Sequence, residues 1–154
     1  MRFGTFETSY DNLPRMLNAI VERNPGSYYS LHDIPSSMEG QRILQRVFFS
    51  FAPCIRAFQY CRPLLCIDDT FLTGKYRGTI LTAIGADGNN QLVPVAFAFV
   101  ESENTDSWFL FLQRLKHHVV VNRPDVCLIS DRHAGLLSAI DILKQAIWPD
   151  LHNR

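Results

Sequence analysis

P-L-L-C-I-D-D-T-F-L-T-G-K-Y-R-G-T-I-L-T-A-I-G-A-D-G, residues 63–88, is the stretch that decides how this chain reads. An apolar run from Leu64 to Ile67 ends in two adjacent carboxylates, Asp68 and Asp69. Thr70, Phe71 and Leu72 follow, so acids interrupt what otherwise reads as a buried strand. Charge in apolar surroundings is costly unless it is protonated, paired or bound to a metal. Because a strand has a period of two, Asp68, Thr70 and Leu72 share one face while Ile67, Asp69 and Phe71 share the other. Only one of the two acids can point into a given site.

Working outward, Val126–Asp131, V-C-L-I-S-D, repeats the arrangement: a short apolar run ends in Asp131, and a helix-like segment follows. If the two apolar runs are neighbouring strands, Asp68 and Asp131 converge and repel unless a divalent cation lies between them. Mg²⁺ and Mn²⁺ prefer hard oxygen ligands of this kind. Asp131 also suits the N-cap of the following helix, and the two roles are compatible.

Between these acids the chain alternates in a regular way. Thr73–Gly78 reads as a glycine-bounded turn, Thr79–Ala86 as a returning antiparallel strand, and Asp87-Gly88-Asn89-Asn90 as a hairpin turn. The apolar run 91–100 reads as a third strand, and Pro94, which lacks a ladder donor, places it at a sheet edge. Residues 101–118 follow as a helix, with Ser102, Asn104 and Thr105 near its start and Trp108, Phe111, Leu112, Leu115 and Val119 on one apolar stripe. Lys116, His117 and His118 fall in its last turn, where positive charge suits the dipole, and both histidines read as surface residues. Leu136, Leu137, Ile140, Leu143 and Ile147 form another helical stripe, stopped by Pro149.

Upstream, residues 11–23 carry apolar positions at helical spacing, and Asn24-Pro25-Gly26 ends that helix. Ile43, Leu44, Val47, Phe48 and Phe51 recur at threes and fours and predict a second helix from residue 41 to about Pro53. Residues 1–60 therefore read as a helical lead-in packed on a sheet, and residues 61–154 as an α/β domain. In that domain the fourth strand, reached through a helical crossover, lies parallel to the first.

Composition narrows the function classes. The chain has 154 residues, enough for one domain with a real core. Fifteen Lys and Arg balance fifteen Asp and Glu, and no basic run marks a nucleic-acid patch, so any DNA contact must be local. Cys54, Cys61, Cys66 and Cys127 lack the close pairing of zinc sites and read as reduced core thiols. No stretch reaches the ~18 apolar residues of a membrane helix, and the N-terminus lacks a signal-peptide core.

Three linked motifs then point to a family: C-I-D-D-T-F-L-T-G-K-Y-R-G (66–78), A-D-G-N-N-Q-L-V-P-V-A-F-A-F-V-E-S-E-N-T-D-S-W-F-L-F-L (86–112) and I-S-D-R-H-A-G-L-L-S-A-I (129–140). In order and wording they resemble the transposase domain of Mutator-like elements, including its plant form. That resemblance implies a ribonuclease-H-like mixed sheet with flanking helices and a C-terminally truncated fold, whose fourth strand lacks a neighbour on one side. It implies metal-dependent cleavage and strand transfer at transposon ends, with Asp68 and Asp131 as the first two acids of an Asp-Asp-Glu triad and as ligands of Mg²⁺ or Mn²⁺. The family's third acid lies downstream of Arg154, so activity from this chain alone is expected to be weak or absent. It also implies DNA as partner, the nucleus as location, and a homo-oligomer or a further C-terminal segment as a possible complement to the sheet.

Residues beside the two acids have plainer readings. Asp69 reads as a supporting or solvent-facing group, and Glu103 as structural at a helix start. Lys75 and Arg77 are candidate phosphate contacts in a turn where exposed cations are also common. A non-catalytic remnant, or a co-opted DNA- or protein-binding module, is the alternative. A phosphatase of the haloacid-dehalogenase type would need an acid where Thr70 stands.

Overall fold

The computed structural model describes residues 6–75 and 77–153, with side chains from Tyr10 onward. In chain order its elements are α1 (Phe6–Arg23), β1 (Tyr28–Pro35), β2 (Arg42–Ser50), α2 (Ala52–Phe58), β3 (Leu64–Leu72), β4 (Gly78–Ala86) and β5 (Leu92–Val100). Then come α3 (Thr105–Leu115), a π-helical turn (Lys116–Val120), β6 (Cys127–Ile129), α4 (Ala134–Ala146) and β7 (His152–Asn153). The strands form one mixed sheet in the order β1-β2-β5-β4-β3-β6-β7.

The antiparallel trio is as the patterning predicts. β3 pairs with β4 from Leu65↔Gly85 to Leu72↔Gly78, and β4 pairs with β5 from Thr79↔Val100 to Ala86↔Leu92. The β4–β5 turn is held by Asp87, whose Oδ1 accepts N–H bonds from Asn89 and Gln91, both at 2.8 Å. Asn90 takes the positive φ of 63° that Asn tolerates. After the helical crossover, β6 lies parallel to β3 with Leu64↔Cys127 and Cys66↔Ile129 in register.

Residues 41–53 do not form the predicted helix, and the segment before residue 60 is not wholly helical. β1 and β2 form a hairpin whose second strand joins the sheet beside β5. The misleading signal has a physical source: Val47 and Phe48 are adjacent yet both buried, because β2 is covered on both faces. Apolar residues at consecutive positions erase the strand's alternation and imitate a helical stripe. The observed α1 also begins five residues before the predicted start, and Pro14 stands inside it.

Two edges are consequently not where the sequence puts them. β5 is an inner strand, but β2 pairs only with Phe97–Val100, leaving the Pro94 half free of a neighbour on that side. Pro94 also sits at a register shift opposite Ile84, so its missing N–H costs no ladder bond there. On the far side, β6 does have a second neighbour: the two-residue β7 pairs with it in parallel, Cys127↔His152 and Leu128↔Asn153.

One sheet face carries the main core. Leu65 and Ile67 of β3, Leu81 and Ala83 of β4, and Ala96, Ala98 and Val100 of β5 are buried with Phe111, Leu112 and Leu115 of α3 and Leu136, Ile140 and Leu143 of α4. α2 closes the end of this layer, its Phe58 fully buried. Arg123 clamps it, lying 4.8 Å from the Phe58 ring and donating to the carbonyls of Phe58 (2.5 Å) and Cys61 (3.1 Å) at the helix C-terminus. Trp108 is buried as its stripe predicts, whereas Cys66 is exposed and is not a core thiol.

His118, expected at the surface, is half-buried in the π-helical turn and stacks on Tyr28 with ring centroids 3.4 Å apart and planes 11° from parallel. Burial pushes its imidazole below the usual 6.5, and the nearby positive groups of Arg114 and His117 push the same way. The unfolded chain therefore takes up a proton at higher pH than the folded one does. Stability is complete above about 6.5 and falls as the pH drops from there toward the depressed folded value. Thermal melts of the protein and of His118→Phe between pH 5 and 8 should show that dependence in the former and a flatter profile in the variant.

Candidate active site

Strand alternation in β3 continues past the core. Leu65 and Ile67 point under the helices, so Asp69 and Phe71 extend that face beyond the last packed layer, while Cys66, Asp68 and Thr70 look out from the opposite, exposed face. Asp68 is exposed and Asp69 half-buried. The Oδ1 of Asp68 accepts the backbone N–H of Asp69 at 2.9 Å.

The parallel register brings the second acid to the same level. Two residues beyond the last registered pair, Cys66↔Ile129, the two chains carry Asp68 and Asp131. Asp131 closes a tight turn: its Oδ1 accepts the backbone N–H of His133 at 3.1 Å, and Arg132 between them takes a positive φ of 66°. The N-cap position of α4 belongs to His133, not to Asp131.

Glu103 stands just before the Asn104 N-cap of α3, on the side of Asp69. Its side chain is 10% exposed, and its Oε1 accepts the indole N–H of Trp108 at 3.1 Å and lies 2.8 Å from Nδ1 of His133. That Nδ1 is also 3.2 Å from the backbone N–H of Gly135. One nitrogen cannot donate to Glu103 and accept from Gly135 at once. The shorter, charge-assisted contact decides it, so an Nδ1–H donates to Glu103 and the Gly135 contact is incidental. Glu103 thus ties the start of α3 to the start of α4.

The electrostatics centre on Asp69. Burial raises its carboxyl above the usual range, and the negative charges of Glu103, Asp131 and Asp68 add to the rise, while His133 works against it. In the sequence Asp69 and Glu103 had only supporting readings; the structure places both with Asp131, and adds His133. The signal was present in E-S-E-N-T-D-S-W and S-D-R-H, but no spacing rule says that two helix starts meet at one strand.

Carboxylate oxygens are the donors that Mg²⁺ and Mn²⁺ take, and a divalent cation would relieve the repulsion at Asp69, so the donor chemistry fits such an ion. Among the described residues no three His, Cys, Asp or Glu side chains are grouped as a ready-made ligand set. Lys75 and Arg77 are exposed in the β3–β4 connection, at the end of β3 beyond Asp69.

The family model for the MULE transposase domain matches residues 64–154, from the first residue of β3 onward. This chain belongs to that family. The MULE match spans the acid-bearing strand, α3, β6 and α4, and so includes Asp68, Asp69, Glu103, Asp131 and His133. The β1–β2 hairpin lies outside the matched residues but in the same sheet. No curated protein and no solved structure matches the chain. No helix among the described residues is long and apolar enough to cross a membrane.

Proposed function

We propose that this MULE domain is the catalytic part of a transposase, using a divalent cation to cut DNA phosphodiesters and transfer strands. The observation that carries the proposal is the parallel register of β3 and β6, which puts Asp68 and Asp131 each two residues beyond the last registered pair, with Asp69 near enough to Asp131 and Glu103 for their charges to act on it. The antiparallel trio with a parallel fourth strand supports a ribonuclease-H-like reading of the sheet. In this reading Asp68 and Asp131 hold Mg²⁺ or Mn²⁺, Glu103 and His133 orient the loop that carries Asp131, and the Lys75–Arg77 turn meets the DNA backbone. When bound, the cation supplies Lewis-acid polarisation of the phosphate and a more acidic water. The nucleus is the compartment this activity calls for.

The test is nicking of supercoiled plasmid with Mn²⁺ and with EDTA. Weak, Mn²⁺-dependent nicking is the expected result, since the described residues hold no complete three-ligand group. That same feature favours a second reading, a DNA-binding module without chemistry. Binding that falls with salt, ignores Mg²⁺ and survives loss of both Asp68 and Asp131, with no nicking, would establish it instead.

A further inference from the structure

Beside the acids, between the β3–β4 connection and the start of α3, lies a cavity of 490 Å³ lined by residues that include Phe71, Thr73, Arg77, Glu101 and Glu103. Its volume falls within the ~300–1,000 Å³ of small-ligand sites. Phe71 is 69% exposed although it continues the face on which Leu65 and Ile67 are buried, so a large, mostly uncovered ring lines the cavity.

The charges around it are of two kinds. Glu101 and Glu103 are already compensated: Arg46 grips Glu101 with Nε at 2.9 Å and Nη2 at 2.5 Å, and His133 contacts Glu103. They leave carboxylate acceptors in the cavity, which suit the amino group of a base and repel a phosphate. Arg77, by contrast, is exposed and forms no ion pair among the described residues.

We propose that this cavity takes one unpaired base of a DNA strand, its ring stacked on Phe71 and its backbone phosphate beside Arg77. The inference rests on the proposed DNA-cleaving function and adds to it the position of the nucleotide next to the cut. Phe71 follows Asp69 by two residues on one face, about 6.6 Å along the strand, and Asp131 stands near enough to Asp69 for its charge to act there, so a phosphodiester held at Asp131 has its neighbouring base within reach of the ring. Stacking on an aromatic side chain is the sequence-tolerant way in which proteins hold such a base.

The experiment uses a single-stranded oligonucleotide carrying 2-aminopurine at one position, with Ca²⁺ in place of Mn²⁺ so that binding is read without cleavage. The protein should quench the probe. Phe71→Trp should keep the quenching, and Phe71→Leu should abolish it and weaken binding about 5-fold or more. Arg77→Ala should lower affinity and the salt dependence by about one phosphate contact while leaving the quenching of bound probe. Because the Phe71 side chain is exposed, circular dichroism of its variants should match the wild type.

Equal binding and quenching by the wild type and Phe71→Leu overturns the proposal, as does binding with no quenching at any probe position. Absence of DNA binding overturns it together with the proposed function. Quenching lost only in Phe71→Leu, in a protein that fails to nick with Mn²⁺, supports the base site and overturns the catalytic reading alone.

Discussion

Asp131→Asn should lower Mn²⁺-dependent nicking at least ~100-fold, and Asp68→Asn should do the same. Both changes keep the size of the side chain while removing its charge, and both residues are exposed, so the fold should be untouched and melting temperatures should stay close to the wild type. A loss of this size exceeds the ~10–100-fold typical of a residue that only orients a ligand. Glu103→Gln, by that standard, should fall inside the lower range, because its carboxylate acts by holding His133 and Trp108.

The informative comparison is with Asp69→Asn. Asp69 stands on the side of Glu103, whereas the family resemblance assigns the first ligand to Asp68. If Asp69 only shapes the local charge, its loss should cost about 10-fold or less. Relief of like-charge repulsion should at the same time raise the melting temperature at pH 7 and leave it unchanged near pH 3, where the carboxyl is protonated in both states. A Mn²⁺ titration of nicking for the three variants decides between the neighbours: loss in Asp69→Asn with activity kept in Asp68→Asn would move the ligand by one residue.

Gly78→Ala should destabilise the protein by about 3 kcal/mol, the upper part of the usual range for overpacking. A Cβ at Gly78 would stand 2.8 Å from the Phe99 ring and 2.8 Å from the carbonyl oxygen of Val100. The ring could turn aside, but the carbonyl belongs to the β4–β5 ladder, where Thr79 pairs with Val100. Relief therefore requires separating two central strands. For a chain of this size the change corresponds to a fall of roughly 6–12 °C in melting temperature. Gly88→Ala is the control, since nothing lies within 4 Å of its added methyl group and its backbone is not in the left-handed region. A Gly78→Ala melt within 2 °C of the wild type, on the order of a 1 kcal/mol effect, would mean that the sheet is looser here than the contacts say.

The two predictions also mark how far the sequence could be read. The position of Asp131 just past a strand end was legible because an apolar run, which folds as the three-residue strand Cys127–Ile129, leads into it and a turn follows. The strands β3, β4 and β5 were legible from their hairpin signals, and α3 and α4 from their stripes. The β1–β2 hairpin was not, since a strand buried on both faces shows no alternation. The inner position of β5 followed from that error: Pro94 forbids a neighbour only along its own half of the strand, and β2 uses the other half.

Local chemistry by itself determined the element types between residues 63 and 147, the presence of acids at two strand ends, and through linked motifs the family. The face of β3 that the helices cover was decided by tertiary structure alone. Leu64, Leu65, Cys66 and Ile67 are all apolar, so the run carries no phase, and only packing against α3 and α4 shows that Asp69 and Phe71 lie on the helix side and Asp68 on the other. Likewise Glu103 and His133, thirty residues apart in the chain, meet because two helices start side by side at one sheet end, a coincidence of packing that no local pattern encodes.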